Sequence, residues 1–206
     1  AASDVGEFVS TAANVVTCVN YTKRDGTAVV AAAGGEDGLT NNSNTTWMVV
    51  SSDEEVTTPL QPSFLAYVTA TQNNVTGGSN TYSITGAIWT EITDIGANFA
   101  DGTFTAPVAG TYIFYANIAL GGLGTSQTIL YGHVITSNRN HRCYYQGFGY
   151  DEHSQTTLTM NFIVIADMDA SDTAYLHINA AGGSQTVELN GGSQAQQTNF
   201  GGFLLG

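Results

Sequence analysis

Basic residues are nearly absent: Lys and Arg together number 4, against 17 Asp plus Glu, for a formal net charge of -13. Lys23/Arg24 and Arg139/Arg142 form two isolated pairs. A phosphate-tracking surface needs clustered cations, so nucleic-acid binding is excluded as the main activity, and so is docking on an anionic membrane surface. Long apolar runs are also missing, and no stretch approaches the roughly 20 residues that span a bilayer as a helix. The start, Ala1-Ala2-Ser3-Asp4, has neither a basic nor an apolar leader region, so no signal peptide is expected there. Cysteine is scarce, with only Cys18 and Cys143, too few for a disulfide-stapled scaffold, and two thiols are the expected state. Proline is scarce as well, at 3 residues.

Catalytic signatures are missing too. No nucleophile elbow, phosphate-binding loop or dinucleotide fingerprint occurs. The four histidines, His133, His141, His153 and His177, lack the helical spacing of a zinc site. His141, Cys143, Asp151 and His153 could cluster, but nothing in their spacing sets a tetrahedral site. Asp53-Glu54-Glu55 and Asp151-Glu152 read as solvated loop charge rather than a glycosidase pair. The expectation is a protein that is not an enzyme and holds no cofactor. Calcium is the one cation that acidic β-protein loops suit, with no ligand set singled out and any metal site unknown.

What is present is Gly, Thr, Ser, Asn and Gln around an apolar content of 42%, with only 10% charged residues. That is the composition of a turn-rich β protein with a neutral hydroxyl surface, of the kind seen outside cells and on virions. Residues 1–60 stand apart as a β-rich base or arm. Asp4 and Glu7 suggest a capping box and a short helix over Phe8, Ala12 and Val15. Val15–Thr22 reads as a strand turning at Lys23-Arg24-Asp25-Gly26 into Thr27–Ala33. Thr46–Ser51 reads as a third strand, and the acids at 53–55 with Pro59 and Pro62 mark a boundary. Residues 61–206 then carry regular strand signals over 64–71, 84–91, 111–119, 128–136, 142–148, 158–165, 174–180, 186–189 and 200–205. Alternation is clearest at Ala174, Leu176, Ile178 and Ala180. Many short strands with Gly-rich turns predict an all-β jelly-roll β-sandwich.

The string Asp101-Gly-Thr-Phe-Thr-Ala-Pro-Val-Ala-Gly-Thr-Tyr-Ile-Phe114, preceded by Asn98-Phe99, resembles the signature of the globular C1q domain. Pro62-Ser-Phe-Leu-Ala66 is similar to that family's opening strand, the segment Met160–Ile178 to its strand–turn–strand hairpin, and Phe200-Gly-Gly-Phe-Leu-Leu205 to its closing strand. The resemblance covers residues 62–206. It departs at the turn Asp169-Ala-Ser-Asp172 and in the insertion-like segment Asn73–Ser83. It implies a C1q/TNF-like jelly roll of about ten strands that associates as a homotrimer. Tyr112, Phe114, Phe200 and Phe203 are then the core or trimer-seam aromatics. Pro107 would mark a strand edge, and Gly110 would permit the turn into Tyr112. His177, on the opposite parity to Leu176 and Ile178, is expected in solvent or at an interface.

A C1q-like head on an acidic 60-residue base suits a virion. The expected function is a trimeric capsid decoration (cement) protein of a tailed bacteriophage, on the capsid surface. It would grip the major capsid protein through residues 1–60 and project the head outward. The rival expectation is the receptor- or glycan-binding tip of a tail fibre, meeting a host-surface glycan or receptor. Tyr144, Tyr145 and Tyr150 are then the candidate ligand-facing residues.

Overall fold

A computed structural model describes residues 5–12, 15–22, 48–50, 53, 55–76, 81–124, 127–147, 156–182 and 187–205. The chain divides into two compact units, 1–45 and 46–206. In the first, β1 (Val5–Ala12) pairs antiparallel with β2 (Val15–Thr22), Phe8 opposite Cys18 and Val9 opposite Thr17. The short helix expected over Phe8, Ala12 and Val15 is therefore a strand. Valine at 5, 9, 15 and 16 loses rotamer freedom in a helix and favours extended backbone. The turn at 23–26 and the strand 27–33 lie outside the described residues.

The second unit contains β3 (Val49–Val50), β4 (Val56–Thr57), β5 (Ser63–Val68), β6 (Ala70–Gln72), β7 (Thr81–Ser83), β8 (Trp89–Ile95), β9 (Phe99–Ala100), β10 (Thr103–Thr105), β11 (Gly110–Gly121), β12 (Gln127–Thr136), β13 (Asn140–Gly147), β14 (Leu158–Met168), β15 (Thr173–Gly182), β16 (Glu188–Gly192) and β17 (Asn199–Leu204). Among the described residues β3 pairs with β4 alone. One sheet runs β6-β16-β11-β17-β5-β8 with β14 on the other side of β11, and the second runs β13-β12-β15-β10-β9 with β7 on β15. The principal strands pair in nested antiparallel fashion: β5 with β17, β10 with β15, β11 with β14 and β12 with β13. First with last and so inward is the winding of a jelly roll, which is what this fold is.

An aromatic cluster joins the two sheets. Phe64 stacks on Phe99 at 4.7 Å and on Phe104 at 5.0 Å, and meets Phe200 edge-on at 5.0 Å. Tyr112 and Phe114 complete it from β11, at 5.4 and 5.7 Å from Phe104. Stacked and edge-on rings bury large areas and add directional attraction. The buried hydroxyl of Thr198, just before β17, donates to Asn190 O (2.7 Å) of β16 and accepts from Ala119 N (3.1 Å) of β11, so one satisfied polar group bridges two strands.

Several boundaries differ from the sequence expectation. Residues 46–60 belong with the second unit, and Thr58 Oγ1 donates to Gln61 Oε1 (2.6 Å) while Gln61 Nε2 donates to Leu204 O. These bonds tie the segment to the end of β17. The strand expected over 64–71 breaks at Thr69, whose N–H goes to Ile88 O, and resumes as β6 against β16. The strand expected over 84–91 starts at Trp89, because Ile84 N bonds Leu176 O and Gly86 takes a φ of 100°. Gly191 lies inside β16 rather than bounding it, since a Cβ there would sit 2.6 Å from Val68 O. The segment 73–83 contributes β7.

Candidate functional site

The sandwich presents two outer faces of different chemistry. The first belongs to β14-β11-β17-β5. Alternation turns Met160, Val164, Ala166 and Met168 of β14 into the core and leaves Ile163 72% and Ile165 63% exposed. Ile113 of β11 lies between Ile165 and Phe203, and Tyr115 lies between Ile163 and Gly201. Tyr115 reaches across Gly201, where any side chain would collide with its ring, and burial there pushes the phenol pKa up. Phe203 is 38% and Leu205 55% exposed at the end of the same surface. An antiparallel sheet with one wet face alternates apolar with polar. Here Ile113, Tyr115, Ile163, Ile165 and Phe203 form an apolar patch on the outer face, bounded by Asn117, Asn161 and Asp167.

Tyr112, Phe114 and Phe200 are fully buried within the protomer. Phe203 lies on the opposite face of β17 from Phe200, because three residues along a strand reverse the side. The spacing of 200 and 203 already carried that signal. Pro107 is exposed in the bend between β10 and β11, and the Tyr112 hydroxyl closes that bend by donating to Val108 O at 2.8 Å. Gly110 is the first residue of β11 and takes no left-handed conformation, so the turn does not depend on it.

The second face belongs to β13-β12-β15-β7. A bulge opposite Gly132/His133 shifts β13, so that Tyr145 faces Tyr131 and Arg142 faces His133. The Tyr131 and Tyr145 rings lie 5.3 Å apart, and the Arg142 guanidinium sits 4.2 Å over Tyr131. His133 donates through Nδ1 to Asn140 Oδ1 (2.7 Å) and meets His177 edge-on at 5.7 Å. Ser83 contacts His177 Nδ1 at 3.2 Å. Desolvation lowers the pKa of both imidazoles; for His133 the nearby Arg142 lowers it further, against the Asn140 bond, and for His177 the neighbouring His133 does so. Sequence placed His177 outward; only the fold shows it half-buried against a second histidine.

Of the candidate ligand-facing tyrosines, Tyr145 is 59% exposed, whereas Tyr144 is half-buried against the core across from Gly132. Tyr150 lies outside the described residues, as do Asp151, Glu152 and His153. Tyr131, Arg142 and Asn140 were not singled out by sequence, because a strand bulge decides which β13 residues face outward. Cys143 falls at that bulge, a free half-buried thiol with its pKa raised by burial. Among the described residues no three His, Cys, Asp or Glu side chains converge on a metal-sized site, and no helix is long and apolar enough to cross a membrane. Arg139 grips Asp167 through one guanidinium nitrogen at 2.8 and 2.6 Å, holding that carboxyl below its usual pKa.

The sandwich therefore carries one apolar outer face and one aromatic, hydrogen-bonding outer face. No protein-family model and no curated protein matches the sequence. Similar solved structures include the globular domain of zebrafish complement 1qA, at 14% identity and a TM-score of 0.46, covering 71% of this chain and 98% of that one. Murine APRIL, at 10% identity and a TM-score of 0.46, covers 70% of this chain and 99% of its own.

Proposed function

We propose that this protein is a non-enzymatic homotrimer whose jelly-roll heads associate through the β14-β11-β17 face, and that it serves as a capsid decoration protein on a virion surface. The observation that carries the association is the exposed Ile163–Ile165 stripe beside Ile113 and Phe203. Burying such side chains is worth about 1.5–3 kcal/mol each. The threefold number follows from the resemblance of residues 98–114 and 200–205 to C1q-type heads. A closed trimer matches a local threefold of a shell. The separate β1–β2 unit and the acidic, lysine-poor composition support the virion reading, with the N-terminal unit on the major capsid protein.

A second reading, the glycan- or receptor-binding tip of a tail fibre, is favoured by Tyr145 standing exposed beside Arg142 and Tyr131. The test is binding of the purified protein to decoration-free capsids and to host cells, with and without residues 1–45. Saturable capsid binding that disappears on truncation is the expected result. Cell binding that survives truncation, without capsid binding, supports the fibre-tip reading instead.

A further inference from the structure

The face of β13-β12-β15-β7 holds a cation that pairs with no carboxylate among the described residues. Of the two described arginines, Arg139 is neutralised by Asp167, whereas the guanidinium of Arg142 has no carboxylate partner among the described residues. The outward positions of these strands are Ile129, Tyr131, His133 and Ile135 on β12; Tyr175, His177 and Asn179 on β15; Asn140, Arg142 and Tyr145 on β13; and Thr81 and Ser83 on β7. None is acidic, although the chain carries 17 acids. The Arg142 guanidinium carbon sits 4.2 Å from the Tyr131 ring centroid, a contact that does not consume its N–H donors. Tyr145 stands next to that pair and is 59% exposed as a residue. Asn140 spends its carbonyl on His133, which leaves the amide nitrogen to donate outward.

An exposed ring face carries negative quadrupole charge and suits the polarised C–H face of a pyranose. A fixed guanidinium beside it suits a carboxylate through paired charge-assisted hydrogen bonds. From this juxtaposition we infer a binding site for a carboxylate-bearing saccharide. The sugar ring stacks on Tyr145, its carboxylate is held by Arg142, and a hydroxyl takes the Asn140 amide. The overall charge of -13 opposes an anionic ligand at long range, but at physiological salt that repulsion is screened beyond about 8 Å. The inference rests on the head being a binding module, not on whether it is mounted on a capsid or a fibre.

The test is calorimetric titration of the full chain at physiological salt with a glucuronate-bearing oligosaccharide and with its carboxyl-reduced counterpart. Oligoglutamate is the third titrant. The acidic sugar is expected to bind at least tenfold more tightly than the reduced one. Arg142→Gln should erase that preference, Tyr145→Ser should weaken both sugars, and Arg139→Gln should change neither. Each variant is checked for an unchanged β spectrum and solution mass. Equal binding of both sugars, no binding of either, or a preference that survives Arg142→Gln overturns the proposal. Oligoglutamate binding as tightly as the sugar overturns it in favour of an acidic peptide. The capsid experiment is independent of all these outcomes, so the two readings fail separately.

Discussion

Ser171 carries a φ of 76° in the turn between β14 and β15, a conformation that L residues with a Cβ avoid. The turn is fixed by its surroundings: Ser171 N bonds Ala106 O (2.7 Å), Ala106 N bonds Asp172 O (2.8 Å), and Asp172 Oδ2 accepts from Asp169 N (2.8 Å). Glycine relieves the Cβ clash, so Ser171→Gly should raise stability by about 1 kcal/mol, read as a higher denaturation midpoint. An unchanged or lower midpoint would count against strain at this position. The paired histidines make a second residue-scale prediction. His133 and His177 have pKa values below the ordinary 6.5, so the unfolded chain binds protons that the folded head resists. Their contribution is intact above the unfolded value and is lost as pH falls below about 6.5. Arg142 faces them, together with the phenols of Tyr131, Tyr145 and Tyr175. Thermal stability should therefore fall less steeply toward pH 5 in the His133→Gln/His177→Gln double variant than in the native protein. Equal slopes would show that the imidazoles do not carry the effect.

At the scale of elements, β14 is the informative strand. Its run Phe162-Ile-Val-Ile-Ala166 is apolar at every position, and period-two reading assigns the two sides but not which side faces in. Pairing with β11 settles it: Ile165 lies opposite Ile113, and both point away from the core. Ile165→Glu should therefore leave the protomer folded while converting the proposed trimer to monomers, read by light scattering alongside circular dichroism. A trimer that tolerates the charge would move the interface elsewhere. The same logic explains which elements were legible. β11, β12 and β15 are long, β15 alternates over most of its length, and sequence located each within a few residues. β6, β7, β9 and β10 are two or three residues long, too short for periodicity, and exist because a neighbouring strand offers an open edge. β8 shifted because the residues before it are held elsewhere: Ile84 N donates across to Leu176 O, and Ile84 O accepts locally from Trp89 Nε1.

For the whole molecule, the all-β class and jelly-roll architecture were legible because strand length, alternation and glycine-bearing turns are local properties, and local sterics and patterning enforce them. The resemblance of residues 98–114 and 200–205 pointed the same way, since the matching positions are those that build the aromatic core between the sheets. The division of the chain at residues 45/46, the exposure of Phe203 and Ile165, and the meeting of Tyr131, Tyr145, Arg142 and His133 were decided only by tertiary structure. Each depends on register between strands distant in sequence, and on a bulge that rotates Tyr145 and Arg142 onto one face and Tyr144 toward the other. A one-residue shift in register moves every side chain across the sheet, so no local pattern can specify which residues share a surface.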